Sequence, residues 1–124
     1  MLLFCLYGQF MKKENRLKKR KQFNWTFKNG QKCYGKNLIL VFNKSWAKDY
    51  KVGFSVTKKV GKAVVRNKVK RQIKEATRIY QNNIAPNHTL IFVAKPQIVD
   101  VEFSTIVKEV EFLLKKSGLF IKDE

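Results

Sequence analysis

A chain of 124 residues carrying 27 Lys and Arg against 9 Asp and Glu, a formal charge of +18, has room for one two-layer core and repels itself strongly enough to need a polyanionic partner. Apolar residues recur at core periods and no run approaches the roughly 20 needed to span a bilayer, so nucleic acid fits and a membrane does not. Two cysteines, Cys5 and Cys33, and the single His88 make neither a disulfide framework nor a zinc pattern, which indicates a reduced, cytoplasmic protein without the paired histidines of a protein-borne ribonuclease.

Residues 1–10 are apolar and uncharged, with neither the basic segment nor the small-residue cleavage site of a secretory signal. Met11 then opens Met-Lys-Lys-Glu-Asn-Arg. We expect residues 1–10 to be a nonfunctional extension and residues 11–124 to form a single domain.

Residues 18–29 predict a short helix with Phe23 and Phe27 on one face at i and i+4, stopped by Gly30. Residues 37–42 and 52–57 read as strands, most simply as antiparallel neighbours, joined by a connection that contains Trp46, Asp49 and Tyr50. A helix over residues 63–81 places Val65, Val69, Ile73, Ala76 and Tyr80 on one stripe, with Asn67, Lys70, Arg71, Lys74 and Arg78 opposite. Residues 89–94 form an apolar strand that ends at Pro96. Asp100 is the expected N-cap of a last helix with Phe103, Val107, Val110 and Leu114 on one face and Gly118 as its stop. The order is αββαβα, or αβββαβα with one further short strand, and it indicates an α+β sandwich with helices on a single face of the sheet.

Cationic charge is concentrated upstream, since acidic residues outnumber basic ones from Pro96 onward. On the 63–81 helix only Glu75 interrupts the basic side, whereas a merely solubilising face mixes both signs. Lys58 and Lys59 precede Gly61 at the strand-to-helix turn, where ammonium groups and backbone amides can converge on a phosphate. Phe23 and Phe27, taken by themselves, suit core packing.

The order Ser55-x-x-Lys58-Lys59-x-Gly61 and Ala63-Val64-x-Arg66-Asn67-x-x-Lys70-Arg71 resembles the signature of the protein subunit of bacterial ribonuclease P, the ribonucleoprotein that removes the 5′ leader from precursor tRNA. Arg16-Leu-Lys-Lys, Phe23-x-x-x-Phe27-Lys-x-Gly30 and Ile91-Phe-Val-Ala-Lys-Pro96 extend the resemblance from Met11 to the end. Lys68 and Lys74 depart from it, standing where arginine is usual, so charge is kept and bidentate phosphate recognition is lost.

The resemblance implies the αβββαβα order, a two-layer fold like domain 2 of ribosomal protein S5, and a left-handed βαβ crossover where general handedness would favour the right. It implies an RNA-binding subunit that assists a catalytic RNA in Mg²⁺-dependent phosphodiester hydrolysis, with the active site and its Mg²⁺ in the RNA. No catalytic residue, metal ligand or protein partner is then required of this chain. Arg66, Asn67, Lys70 and Arg71 would contact the catalytic RNA with Lys68 and Lys74 in supporting roles, Lys58 and Lys59 beside that helix would contact RNA phosphate, and Phe23 and Phe27 would receive the single-stranded leader of precursor tRNA. The family often presents a further aromatic from its first strand; here the matching position is Val41, with Phe42 on the opposite face of a regular strand. A ribosomal or other structural RNA-binding protein with the same basic helix is the alternative.

Overall fold

The computed structural model describes residues 15–46 and 48–121, and the expectation for residues 1–10 lies outside them. Two apolar runs, Leu-Ile-Leu-Val-Phe at 38–42 and Leu-Ile-Phe-Val-Ala at 90–94, are the two interior strands of the sheet, because a strand covered on both faces needs no polar alternation. The elements are α1 (Arg20–Asn29), β1 (Gln31–Tyr34), β2 (Leu38–Lys44), β3 (Lys51–Ser55), α2 (Ala63–Ile79), β4 (His88–Ala94) and α3 (Phe103–Lys116), with short 3₁₀ turns at Gln81–Asn83 and Pro96–Asp100. Thus β1 supplies the further short strand and the order is αβββαβα.

The sheet order is β1-β2-β4-β3, antiparallel between β1 and β2 and between β2 and β4, and parallel between β4 and β3. This corrects the expected pairing of the 37–42 and 52–57 segments: β4 lies between them. The Gly53-containing strand, with few apolar side chains, takes the edge, and the apolar β4 takes the interior.

Alternation along the strands assigns the faces. Leu38, Leu40, Leu90, Phe92 and Val52 pack with Val69, Ile73 and Ala76 of α2 and with Ile106, Val110, Leu113 and Leu114 of α3 in one buried cluster. Val41, Ile91 and Gly53 form a cross-strand row on the opposite face, beneath α1. Helices α2 and α3 therefore make the helical layer of the sandwich, while α1 departs from the single-face expectation. A Cβ on Gly53 would stand 3.2 Å from Leu17 and 3.3 Å from Phe23, so the missing side chain is what lets the start of α1 sit close to the edge strand.

The stripe expected on α2 is confirmed at Val69, Ile73 and Ala76, with Val65 and Tyr80 half-buried. On α3 the expected stripe needs correction. Val110 and Leu114 are buried, Val107 is half-buried and Phe103 is exposed, while Ile106, Glu109 and Leu113 join the interior. Helix α3 packs against both the sheet and α2, which widens its buried face beyond one narrow stripe. Its N-cap is Glu102; Asp100 ends the preceding 3₁₀ turn.

Buried Glu109 reaches from α3 to the β1–β2 turn. Its carboxylate accepts hydrogen bonds from the Asn37 backbone N–H (2.7 Å), the Leu38 backbone N–H (2.5 Å) and Asn37 Nδ2 (3.0 Å). At the other end of the sheet the Ala85 N–H donates to Leu119 O and the Ile121 N–H to Asn83 O, which ties the chain after α3 to the loop that leads into β4.

Glu109→Ala strands two buried backbone donors, and we expect a loss of about 2–5 kcal/mol. Glu109→Gln keeps one acceptor oxygen and should lose less. Denaturant midpoints at unchanged slope would measure both; no shift for the alanine variant would mean that the turn finds other acceptors.

Candidate nucleic-acid interface

The cationic groove begins at the edge strand. Phe54 of β3 faces the helical layer and stacks on Phe92, with centroids 6.1 Å apart. The chain then turns at Gly61, whose φ of +154° is costly for any side-chain-bearing residue, and enters α2 at Lys62 with no acidic residue in its first turn. With one side of α2 held in the core, the other must carry its charges outward.

Asn67, Lys70, Arg71 and Lys74 line one groove of about 400 Å³, with Phe54 as its apolar floor. Arg16, Glu75 and Arg78 complete the lining. Arg16 arrives from a segment that runs along the outer edge of β3, bridging to Val52, with the Leu17 N–H donating to Val52 O at 2.8 Å. Arg78 is ion-paired with Glu75, the acidic residue inside the groove. Lys74 is lowered from the usual lysine range, first by burial and then by repulsion from Lys70 and Arg16. The groove thus assembles like charges at some electrostatic cost, which a bound polyanion would relieve.

The remaining sequence-predicted cations lie beside this groove. Arg66 turns back, donating from Nε to the Gly61 carbonyl at 3.1 Å, so it braces the strand-to-helix turn. Lys58, Lys59 and Lys68 are exposed on the same end of the molecule and do not line the groove.

Phe23 and Phe27 stack on each other, with centroids 6.3 Å apart and rings inclined by 13°. Phe23 is half-buried, Phe27 is 40 % exposed, and Lys32 Nζ lies 5.9 Å from the Phe27 ring. They form a surface platform; the residue of α1 that is buried is Thr26. A second, smaller cleft contains Phe23 together with Arg16, Phe54, Lys70 and Lys74, all four of which also line the cationic groove. Aromatic platform and cationic groove are therefore continuous.

Val41 lies on the platform side of the sheet, fully buried, and offers no surface for a base to stack on. Phe42 lies on the opposite face, packed against the main core. The exposed aromatic on the platform side is Tyr34 of β1, paired with Ile39 and 57 % exposed. Sequence reasoning passed over Tyr34, Arg16 and Phe54 as site residues. Alternation along β3 could have suggested Phe54, but Tyr34 needs the β1–β2 register and Arg16 needs the edge pairing with β3.

Among the described residues no group of His, Cys, Asp or Glu has the makings of a metal site. The one carboxylate in the groove, Glu75, is engaged by Arg78, so these side chains do not fit a Mg²⁺ ligand set.

The family model for Ribonuclease P matches residues 11–118. The ribonuclease P protein component of Caldanaerobacter subterraneus is 33 % identical over 112 residues, covering 90 % of this chain and 97 % of the relative. The RNase P protein of Staphylococcus aureus superimposes with a TM-score of 0.78 at 28 % identity, covering 86 % of this chain and 97 % of that one. That of Thermotoga maritima gives 0.74 at 28 % identity, with 82 % and 96 % covered.

Lys70 and Lys74 are a like-charge i, i+4 pair, which costs a helix about 0.2–0.5 kcal/mol. In Lys70→Gln the titration of Lys74, followed by NMR, should move back up toward the ordinary lysine range. The free protein should gain a few tenths of a kcal/mol at low salt and lose that gain at high salt, while its affinity for RNA falls. An unmoved Lys74 titration would show that Lys70 has no part in its shift.

Proposed function

Because the chain belongs to the ribonuclease P protein family, the protein component of a ribonucleoprotein endoribonuclease of tRNA processing, we propose that its cationic groove binds the catalytic RNA while its aromatic platform receives the leader of precursor tRNA. Asn67, Lys70, Arg71 and Lys74 are the contacts from α2, with Arg16 from the edge segment. Arg66 holds the turn, and Lys58, Lys59 and Lys68 add cationic field at the helix start. Phe23 and Phe27 stack unpaired bases, and Tyr34 takes the place on the sheet that Val41 leaves without an aromatic. The observation that carries this reading is the continuity of platform and groove through Arg16, Phe54, Lys70 and Lys74.

The division of labour follows from the side chains. A stacking platform reads no sequence, because every base has a π face, and this suits leaders of unrelated sequence. The adjacent ammonium and guanidinium groups neutralise the phosphates that would otherwise repel one another where leader and catalytic RNA meet. Mg²⁺, which supports the hydrolysis, belongs to the RNA, and this chain supplies neither nucleophile nor base. We place the protein in the cytoplasm, with residues 11–124 as the RNA-binding domain and residues 1–10 dispensable to it. The match of the family model from residue 11 supports that boundary. A ribosomal role, the rival reading, would leave 5′ maturation by the catalytic RNA unaffected when the chain is added.

Phe27→Ala should weaken binding of leader-bearing precursor tRNA to the reconstituted holoenzyme by about 5- to 150-fold, the equivalent of roughly 1–3 kcal/mol for one lost stack. Mature tRNA should bind nearly as before, and the melting temperature should change little because the ring is a surface platform. Equal loss for both tRNAs would refute the platform assignment. Arg71→Ala should weaken assembly with the catalytic RNA by an amount that shrinks as salt rises, and should reduce the slope of log affinity against log salt by about 1. An unchanged slope in a normally folded variant would remove Arg71 from the interface.

A further inference from the structure

The two tryptophans of the chain lie together on the other side of α1. Trp25 and Trp46 line a cleft of about 300 Å³ with Gln22, Thr89 and Lys44. Trp25 is 56 % exposed and Trp46 protrudes entirely, at 105 %. On α1, Gln22 and Trp25 point about 100° or more away from Phe23 and Phe27, so this cleft is separate from the leader platform. Neither ring belongs to the core, and leaving two indoles in water is costly unless something covers them.

Charge selects the occupant. Lys21 and Lys28, at i−4 and i+3 from Trp25, are exposed on α1, and Lys44 lines the cleft itself. Asp49 is the only carboxylate anywhere between Asn15 and Lys74. A second copy of so cationic a surface would be repelled, whereas a polyanion would be attracted. Indole faces stack on nucleobases, and Gln22, Thr89 and Lys44 offer donors to base edges or phosphate.

We propose that Trp25 and Trp46 form a second stacking site for unpaired nucleotides of single-stranded RNA, independent of Phe23 and Phe27. The site contributes a grip on RNA that passes behind α1 while the platform in front remains available.

Because these are the only tryptophans, their emission reports on the site directly. The full chain is titrated with a short uridine oligomer, its 5-bromouridine counterpart and a duplex RNA of equal charge. Saturable quenching by the single strand, deeper with the brominated bases and absent with the duplex, is the expected result. Trp46→Ala, a substitution at a fully exposed position, should lower oligomer affinity about tenfold, the order of one lost stack, without changing the melting temperature. Trp25→Ala should do the same, and Phe27→Ala should leave the quenching amplitude intact. Equal quenching by duplex, or unchanged emission at saturating oligomer, would overturn the proposal. So would an emission change with protein concentration alone, accompanied by a dimeric mass, since the indoles would then serve a protein interface. The Phe27→Ala comparison of precursor and mature tRNA is read separately and stands or falls without these outcomes.

Discussion

Parallel pairing of β3 with β4 is the constraint from which the arrangement of the interface follows. Parallel neighbours cannot be joined by a tight turn, so the chain between them must leave the sheet, cross one face and return, and α2 is that crossing. Once α2 and α3 occupy one face, α1 is left with the other. The groove opens where these layers meet at the outer edge of β3, with α2 above, the Arg16 segment alongside and Phe23 around the corner. An antiparallel β2–β3 hairpin, the simpler arrangement, would have put β3 directly beside β2 and taken β4 out of the position between them.

The charged surface asks the rest of the fold for compensation. Lys74 carries a burial penalty, and Lys70 and Arg16 each repel it as well. Stability is drawn from elsewhere: a dry cluster of Leu, Ile, Val and Phe between sheet and helices, and the Glu109 carboxylate satisfying the β1–β2 turn. Glu109 and the acidic residues near it in sequence do not line the groove, where Glu75, paired with Arg78, is the one carboxylate among the cations.

How much of this was legible in the sequence depended on whether local spacing or long-range pairing carried the information. The α2 stripe and its opposed cations were readable, because both are set by one helical period. The stops at Gly30 and Gly118 were readable for a similar reason. Strand order was not: β2 and β3 are adjacent in sequence, and only the competition among all strands for the doubly covered position reveals that β4 separates them. The α3 face was misphased because a helix packed against two elements buries more than one stripe, and no local pattern announces the second. Among site residues, Asn67 and Lys70 could be placed from their own helix. Arg16 and Tyr34 acquire a role only through partners on other strands, and whether Phe23 and Phe27 were core or surface required knowing how closely Gly53 lets α1 approach.

The Arg16–Leu17 segment has a consequence for solubility during folding. An edge strand presents unpaired backbone groups that invite another chain to add on, and β3 is such an edge. By bridging to Val52 and donating to its carbonyl, the segment occupies part of that edge, and it brings a guanidinium with it. The residues that help build the cationic groove therefore also guard the sheet against intermolecular strand pairing. Proteolysis just after Leu17 would uncover a template for aggregation.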